Sequence, residues 1–362
     1  MTTYSAWFVT QKGHPSKALQ LKAGLPIPTK LADGHVLVKV QATALNPVGY
    51  KLMGAIPNFL AGRPHVAEQD LAGIIVEPNG SDFSAGDKVF GSSASPKLGT
   101  LAEYVTLPSS SLVLVPPNVS AVEAAGLGIV VATAYQALVI KLKIEAGQTV
   151  FINGGSSGVG LSAIQIAKSL GCRVVATASG KNKDLLLSLG IDEFIDYTEA
   201  PLVEQLLSKP PSPKFHAIFD AVGLTDPALY LNSASYLAPG GMYLSAGTLP
   251  KTRQEMAGML RQVFEGLLRP TWLGGVPRKF GVVQVNLGKK DLETVHQLVA
   301  AGGLLLTITR FFSLQPNYPC AGDVKPIIDS VYSFDRDGVM KAYEKLMSKR
   351  AVGKVVVKVA DE

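Results

Sequence analysis

One run of residues constrains the chain more than any other: Asn153-Gly154-Gly155-Ser156-Ser157-Gly158-Val159-Gly160, at the junction of an apolar strand and a helix. Residues Thr149–Asn153 (TVFIN) have the composition of a buried strand, and Val159–Leu170 (VGLSAIQIAKSL) has helical spacing. Glycines at such a junction let the backbone turn tightly and approach a pyrophosphate, while the helix start offers unpaired N–H groups and the positive end of its dipole. The middle glycine of the common G-x-G-x-x-G pattern is Ser157 here, but the strand before and the helix after supply the expected context. The run predicts a dinucleotide-binding loop with contacts from Gly155, Ser156, Ser157, Gly158 and Val159. The alternative is a glycine-rich turn without a ligand.

The text around the loop alternates strand and helix. Arg173–Ala178, Phe215–Asp220 and Gly241–Ala246 read as further strands, and Lys183–Leu189 as a second helix. That βαβ alternation argues for an α/β fold with a doubly wound parallel sheet. The first 120 or so residues read differently, as short strands such as Val36–Val40 and Ala72–Val76 separated by Gly and Pro. They suggest a compact β-barrel. After about residue 300 the text becomes β-like again, ending in Gly353–Val359.

Composition limits what else the chain can be. Of 362 residues, 47% are hydrophobic and 17% charged, which excludes intrinsic disorder. The net charge of +6 comes from scattered Lys and Arg, with no aromatic-basic motif, so no nucleic-acid partner is expected. The uncharged stretch Ala124–Ile140 is too short for a membrane span and contains Gly126, Gly128, Thr133 and Gln136. It is expected to be a buried helix. Cys172 and Cys320 cannot build a disulfide scaffold or a four-thiolate zinc site, and the five histidines are isolated from one another, so no metal is expected. The N-terminus lacks the layout of a signal peptide, which makes a reduced, cytoplasmic setting the default.

The end of the second α/β strand selects among nicotinamide cofactors. An Asp or Glu there would hold the ribose hydroxyls of NAD and repel a 2′-phosphate. The chain instead has Ala178-Ser179-Gly180-Lys181-Asn182-Lys183. A hydroxyl and lysines can bind the phosphate, so Ser179 and Lys183 point to NADPH. Solvated lysines at a helix start are the alternative.

Several stretches together resemble the zinc-independent branch of the medium-chain dehydrogenase/reductase superfamily, which includes quinone oxidoreductases and enoyl reductases. They are Asn46–Lys51, Asp70–Glu77, Gly86–Phe90, Gly99–Tyr104, Glu123–Ala125 with Thr133-Ala134, the glycine loop, and Gly353-Lys354. Within the superfamily the text is most similar to fungal trans-acting enoyl reductases of polyketide pathways. The resemblance implies a Rossmann domain (123–300) inserted into a GroES-like domain formed by residues 1–122 and completed by 301–362. It implies a crevice between the domains for nicotinamide and substrate. It also places Pro47, Lys51, Thr133, Tyr197, Val222, Gly223 and Gly353 with the cofactor. Where zinc relatives carry a His-Glu pair, this chain has Glu68-Gln69-Asp70.

Without a metal, conjugate reduction is favoured over ketone reduction, because its negative charge spreads over an enolate that a few hydrogen bonds can stabilise. The expected activity is NADPH-dependent reduction of an enoyl thioester, with a polyketide synthase as partner and a monomer or homodimer as the assembly. A quinone or small-enone reductase, or a non-catalytic NADPH-binding scaffold, are the alternatives. Lys51, Thr133 and Tyr50 are the candidate catalytic groups, against readings as a surface lysine, a helix-bonded threonine and a packing aromatic. Some relatives carry a Tyr shortly after the Asn-Pro motif; here Met53–Pro57 contains none, which leaves the proton donor open between Tyr50 and solvent. Arg261–Phe280 mixes apolar and basic residues and suits a pocket edge, a docking face or a plain amphipathic surface.

Overall fold

The structure is a computed structural model that describes residues 3–93, 98–117, 119–247, 250, 252–285, 287–300 and 324–361. It divides into two compact units, one of residues 1–132, 286–300 and 325–362, the other of 133–285 and 301–324. The first boundary lies ten residues beyond the expected 122/123, inside the helix Gly128–Tyr135, and residues 286–300 go with the first unit. Cys320 lies outside the described residues.

The first unit begins with β1 (Thr3–Val9), β2 (Leu19–Pro26), β3 (His35–Leu45), β4 (His65–Val66), β5 (Asp70–Glu77), β6 (Lys88–Ser92), β7 (Tyr104–Pro108) and β8 (Leu112–Leu114). Strand β3 is buried along most of its length and is the hub, pairing antiparallel with both β5 and β7. Its inward Val36, Val38 and Val40 pack with Leu71, Ile75, Val89, Leu107 and Leu112 in one apolar cluster. A second cluster joins Trp7, Leu45, Tyr50 and Met53 to Tyr343, Val355 and Val357 from the chain's other end.

The second unit carries β9 (Thr149–Asn153), β10 (Arg173–Ala178), β11 (Glu193–Asp196), β12 (Phe215–Asp220), β13 (Leu237–Ser245) and β14 (Lys279–Val282). They form a six-stranded parallel sheet in the order β11-β10-β9-β12-β13-β14. Counted from β9, that is the 3-2-1-4-5-6 order of a dinucleotide-binding fold, with its switch point between β9 and β12. Residues of β9 are buried throughout, as expected of a central parallel strand covered on both faces.

Chain elements after residue 324 correct one expectation. β15 (Ile328–Ser333) and β16 (Lys354–Lys358) are strands, but they are parallel and joined by a helix, Arg336–Met347. Asp335 caps that helix by accepting from the Gly338 N–H at 2.8 Å, and Val339, Ala342, Tyr343 and Leu346 form its buried stripe. The 124–140 stretch is also segmented. It forms a helix Ala121–Ala125, the Gly128–Tyr135 helix and a wide final turn Gln136–Lys141. No helix among the described residues is long and apolar enough to cross a membrane.

A chain of side-chain bonds ties the carboxyl ends of four parallel strands. Thr177 of β10 donates to Asn153 Oδ1 of β9 (2.8 Å), and Asn153 Nδ2 donates to Asp220 Oδ1 of β12 (2.8 Å). Tyr243 of β13 donates its hydroxyl to Asp220 Oδ2 at 3.0 Å. Removing the Asp220 carboxylate leaves several buried donors without an acceptor, each worth about 1–3 kcal/mol. Asp220→Ala is expected to lower unfolding free energy by about 3 kcal/mol or more, and Tyr243→Phe by only about 1 kcal/mol. Urea unfolding checks both, as a shifted midpoint with an unchanged slope.

Candidate functional site

The glycine loop leaves β9 and enters the helix Gly158–Ser169, as its sequence predicts. Gly154 has φ of 78°, and a Cβ there would meet Val222 Cγ2 at 2.3 Å. A Cβ on Gly160 would lie 2.2 Å from the Gly154 carbonyl oxygen, so the helix start and the loop touch through bare backbone. Any side chain at either place would push them apart. Ser157, the departure from the common pattern, earns its position as a cap: its hydroxyl accepts from the Gly160 N–H at 3.0 Å and donates to the Gly154 carbonyl at 2.8 Å. The loop is fastened below by Gly154 N–H to Thr177 Oγ1 (2.9 Å) and Gly155 N–H to the Thr177 carbonyl (2.7 Å). The N–H groups of Gly158 and Val159 lie in the first helical turn and have no intrahelical acceptor. Such a cradle, shallow because no Cβ fills it and lined by outward N–H groups, fits a pyrophosphate.

Asp220 sets the neighbouring turn. Its carboxylate accepts from the N–H groups of Val222 (3.2 Å), Gly223 (3.2 Å) and Leu224 (2.7 Å). Val222 and Gly223 are thereby held beside Gly154, the contact that the Gly154 geometry requires. Burial raises the Asp220 carboxyl above its ordinary range, although the Leu224, Asn153, Tyr243 and Val222 donors all oppose that rise.

At the end of β10, Ser179 starts a short turn through Gly180–Asn182 that leads into the helix Lys183–Ser188. Asn182 Nδ2 donates to the Ser179 hydroxyl at 3.3 Å, and Lys181 and Lys183 are exposed. Sequence spacing alone shows no carboxylate here. The parallel register of β10 with β11, however, pairs Ala178 with Asp196. A Cβ on Gly180 would sit 2.5 Å from Asp196 Oδ2, so the carboxylate lies directly against the Ser179-Gly180 turn. Asp196 accepts from the Thr198 hydroxyl (2.6 Å) and N–H (2.8 Å), and these bonds hold its carboxyl below the usual range. Tyr197, next to it, is 52% exposed.

On the first unit, Pro47 begins the helix Pro47–Ala55, which also carries Tyr50 and Lys51. Tyr50 is 6% exposed and packs in the core with Trp7, Met53 and Tyr343, which supports its reading as a packing aromatic. Lys51 is half-buried on the same helix. Gly353 has φ of 83°, and a Cβ there would meet the Ile327 carbonyl oxygen at 2.1 Å. The next residue, Lys354, bonds to Asn46 Oδ1 at 2.6 Å, which brings Gly353 beside the helix start at Pro47. Thr133 is buried within the Gly128–Tyr135 helix, on the second unit. The structure therefore gathers Gly155–Val159, Ser179, Lys183, Tyr197, Val222 and Gly223 at one edge of the parallel sheet, and Pro47, Lys51 and Gly353 at one corner of the first unit.

Beneath that corner lies a buried polar cluster that the sequence alone does not reveal. Lys354 pairs with Asp70 (Nζ–Oδ2 3.2 Å), and Asn46 Nδ2 donates to the same oxygen at 2.8 Å. Asp70 Oδ1 accepts from the Ile129 N–H at 3.3 Å. Glu68 accepts from the Asn46 N–H at 3.0 Å and from the Tyr343 hydroxyl at 2.5 Å. Its signals, Asn46, Glu68-Gln69-Asp70 and Gly353-Lys354, stand in the sequence as motif residues, but nothing local says that they meet. Among the described residues no group of three or more His, Cys, Asp or Glu is placed to hold a metal ion. Cys172 is buried and bonds to the Glu145 carbonyl.

Comparison with known proteins accounts for both units. Residues 32–117 match the alcohol dehydrogenase GroES-like domain and residues 158–278 the zinc-binding dehydrogenase family. The chain is 35% identical to the trans-enoyl reductase pgmF of Aspergillus terreus, over 99% of this chain and 97% of the relative. It is 30% identical to the 2-methylene-furan-3-one reductase of Solanum lycopersicum, over 97% of this chain and 78% of that one. Among solved structures, the quinone oxidoreductase of Coxiella burnetii superimposes with a TM-score of 0.76 at 25% identity, covering 99% of each chain. With the strand order, the glycine cradle and these full-length likenesses together, the chain belongs to the medium-chain dehydrogenase/reductase superfamily and is an oxidoreductase with a GroES-like and a Rossmann domain.

Proposed function

We propose that the protein reduces an activated C=C bond, that of an enoyl thioester, with NADPH as the reductant. The glycine cradle carries this reading, because it fits the pyrophosphate of a dinucleotide at the switch point of the sheet. The named relatives direct it toward conjugate reduction: one is a trans-enoyl reductase, another a furanone reductase and a third an alkenal/one oxidoreductase. A polyketide synthase as partner rests on the resemblance to trans-acting enoyl reductases alone.

In this reading Gly155, Ser156, Ser157, Gly158 and Val159 hold the pyrophosphate, and the 222–223 turn supports it from beneath. Ser179, Lys183 and Tyr197 take the adenosine 2′-phosphate. Bound there, the reduced nicotinamide supplies a hydride. Lys51 and Thr133 donate hydrogen bonds to the carbonyl oxygen of the substrate and to the cofactor's polar edge, stabilising the charge that builds on that oxygen as the β-carbon is reduced. The α-carbon then takes its proton from solvent. With Tyr50 packed in the core, no other donor is assigned.

Asp196 complicates the cofactor choice. It is engaged by Thr198 yet lies against the Gly180 turn, so its charge opposes the 2′-phosphate that Ser179 and Lys183 attract. NADPH preference is the balance of the three.

Two measurements test this reading. Oxidation of NADPH and NADH is followed against an enoyl thioester, an enone and a quinone. The expected order is NADPH over NADH and enoyl thioester over quinone. A reversed substrate order supports a quinone reductase, and tight NADPH binding without turnover supports a scaffold. In the cofactor pocket, Ser179→Asp with Lys183→Glu is expected to raise the KM for NADPH about tenfold or more and leave that for NADH nearly unchanged. Asp196→Asn is expected to lower the NADPH KM several-fold. Equal effects on both cofactors would remove the 2′-phosphate from this turn.

A further inference from the structure

The buried cluster of the first unit contains one carboxylate more than its lysine needs for charge balance. Lys354 and Asp70 already neutralise each other, with Asn46 bridging them. Glu68 brings a second carboxylate into the same buried space, 7% exposed, and it does so from a left-handed backbone with φ of 62°. A non-glycine residue rarely holds that conformation unless its surroundings require it, and such residues concentrate at working sites. The twist turns the carboxylate under the start of the Pro47–Ala55 helix, where Oε1 lies 2.7 Å from the place a Cβ on Gly49 would occupy.

Glu68 has two partners, and both are donors. The Tyr343 hydroxyl comes from the C-terminal helix, and the Asn46 N–H comes from the residue that precedes Pro47. Lys354 of β16 and Asp70 of β5 are the charged groups facing it, the first favouring its ionised form and the second opposing it. Burial pushes the carboxyl up to about 7, so both protonation states are populated near neutrality. The ionised form accepts both bonds. In the neutral form Oε2 still accepts from Asn46 and Oε1 shares its proton with the Tyr343 hydroxyl, so the tie survives without the cost of a buried charge.

We propose that Glu68 is a positioning residue for the Lys51 helix, its buried carboxyl tying the helix start to the C-terminal helix through Asn46 and Tyr343 and its ionisation loosening that tie. The reaction consequence rests on the reading given above, in which Lys51 faces cofactor and substrate; the tie itself does not.

Amide hydrogen exchange of the full-length protein, read by mass spectrometry over the peptide containing 46–51, tests the tie without any turnover. Corrected for intrinsic rates, wild-type protection is expected to fall about tenfold between pH 5.5 and 8.5, because opening hydrates the carboxyl and favours its ionised form. Glu68→Gln, which does not titrate, is expected to show no such change with pH. Tyr343→Phe, which removes one donor to the carboxylate, is expected to move the transition to higher pH. Should Glu68→Gln fail to fold, the Tyr343→Phe shift alone decides. A flat wild-type profile, a Glu68→Gln profile that still follows pH, or a transition unmoved in Tyr343→Phe would each overturn the proposal. In turnover, the pH profile of kcat/KM for NADPH is expected to lose its near-neutral inflection in Glu68→Gln. If exchange behaves as described while no reduction occurs with any acceptor, the tie stands and the reading of the activity falls.

Discussion

The chain of bonds from Thr177 through Asn153 to Asp220 and Tyr243 is the constraint on which the dinucleotide unit depends. A parallel sheet buried on both faces leaves polar groups only at its strand ends, and each of those must find a partner out of water. Here both ends of the Asn153 amide are committed, the oxygen to Thr177 and the nitrogen to Asp220, so its orientation is fixed by the network. Thr177 also receives the Gly154 N–H, and Asp220 receives three successive N–H groups of the next loop. The glycine loop and the 222–224 turn are therefore positioned by the same few side chains. A cofactor lying over them would meet a surface whose backbone is already held in place, which keeps the ordering cost of binding small.

Local pattern carried much of this. The apolar runs at 149–153, 173–178 and 215–220 are strands within the sheet, and the glycine run turns as its composition requires. What was not legible depends on register or on long separation. Asp196 stands eighteen positions after Ala178 in the chain, and only the β10–β11 pairing sets it beside the Ser179 turn. Glu68 meets Tyr343 across 275 residues, and Lys354 meets Asn46 across 308. Neither pairing leaves a local trace. The helix 336–347 did carry one: an aspartate cap followed by apolar residues at helical spacing.

Tyr50 shows how one residue type admits two readings. A tyrosine three positions after an Asn-Pro helix start invites a role as a proton donor, yet helical geometry turns it toward the core with Met53, three residues further on. Lys51, one position along, falls on a different face of the helix and stays half-buried. The same periodicity puts the two neighbouring side chains in different surroundings.

Both units hold a carboxyl group whose ionisation costs stability. For Glu68 the folded-state value is about 7 against 4.5 for an ordinary glutamate, so the native protein binds this proton more tightly than the unfolded chain. Its ionisation removes stability as pH rises from about 4.5 through 7, and the loss is complete above that. Asp220 shifts in the same direction, for the same reason of burial. An apolar side chain of similar volume would avoid these costs, as it often does for buried ion pairs. It could not accept from the backbone. Asp220 gathers a loop by three N–H groups and Glu68 holds the N–H at a helix start, so in each unit the costly carboxylate is the group that fixes a backbone segment from which candidate site residues project.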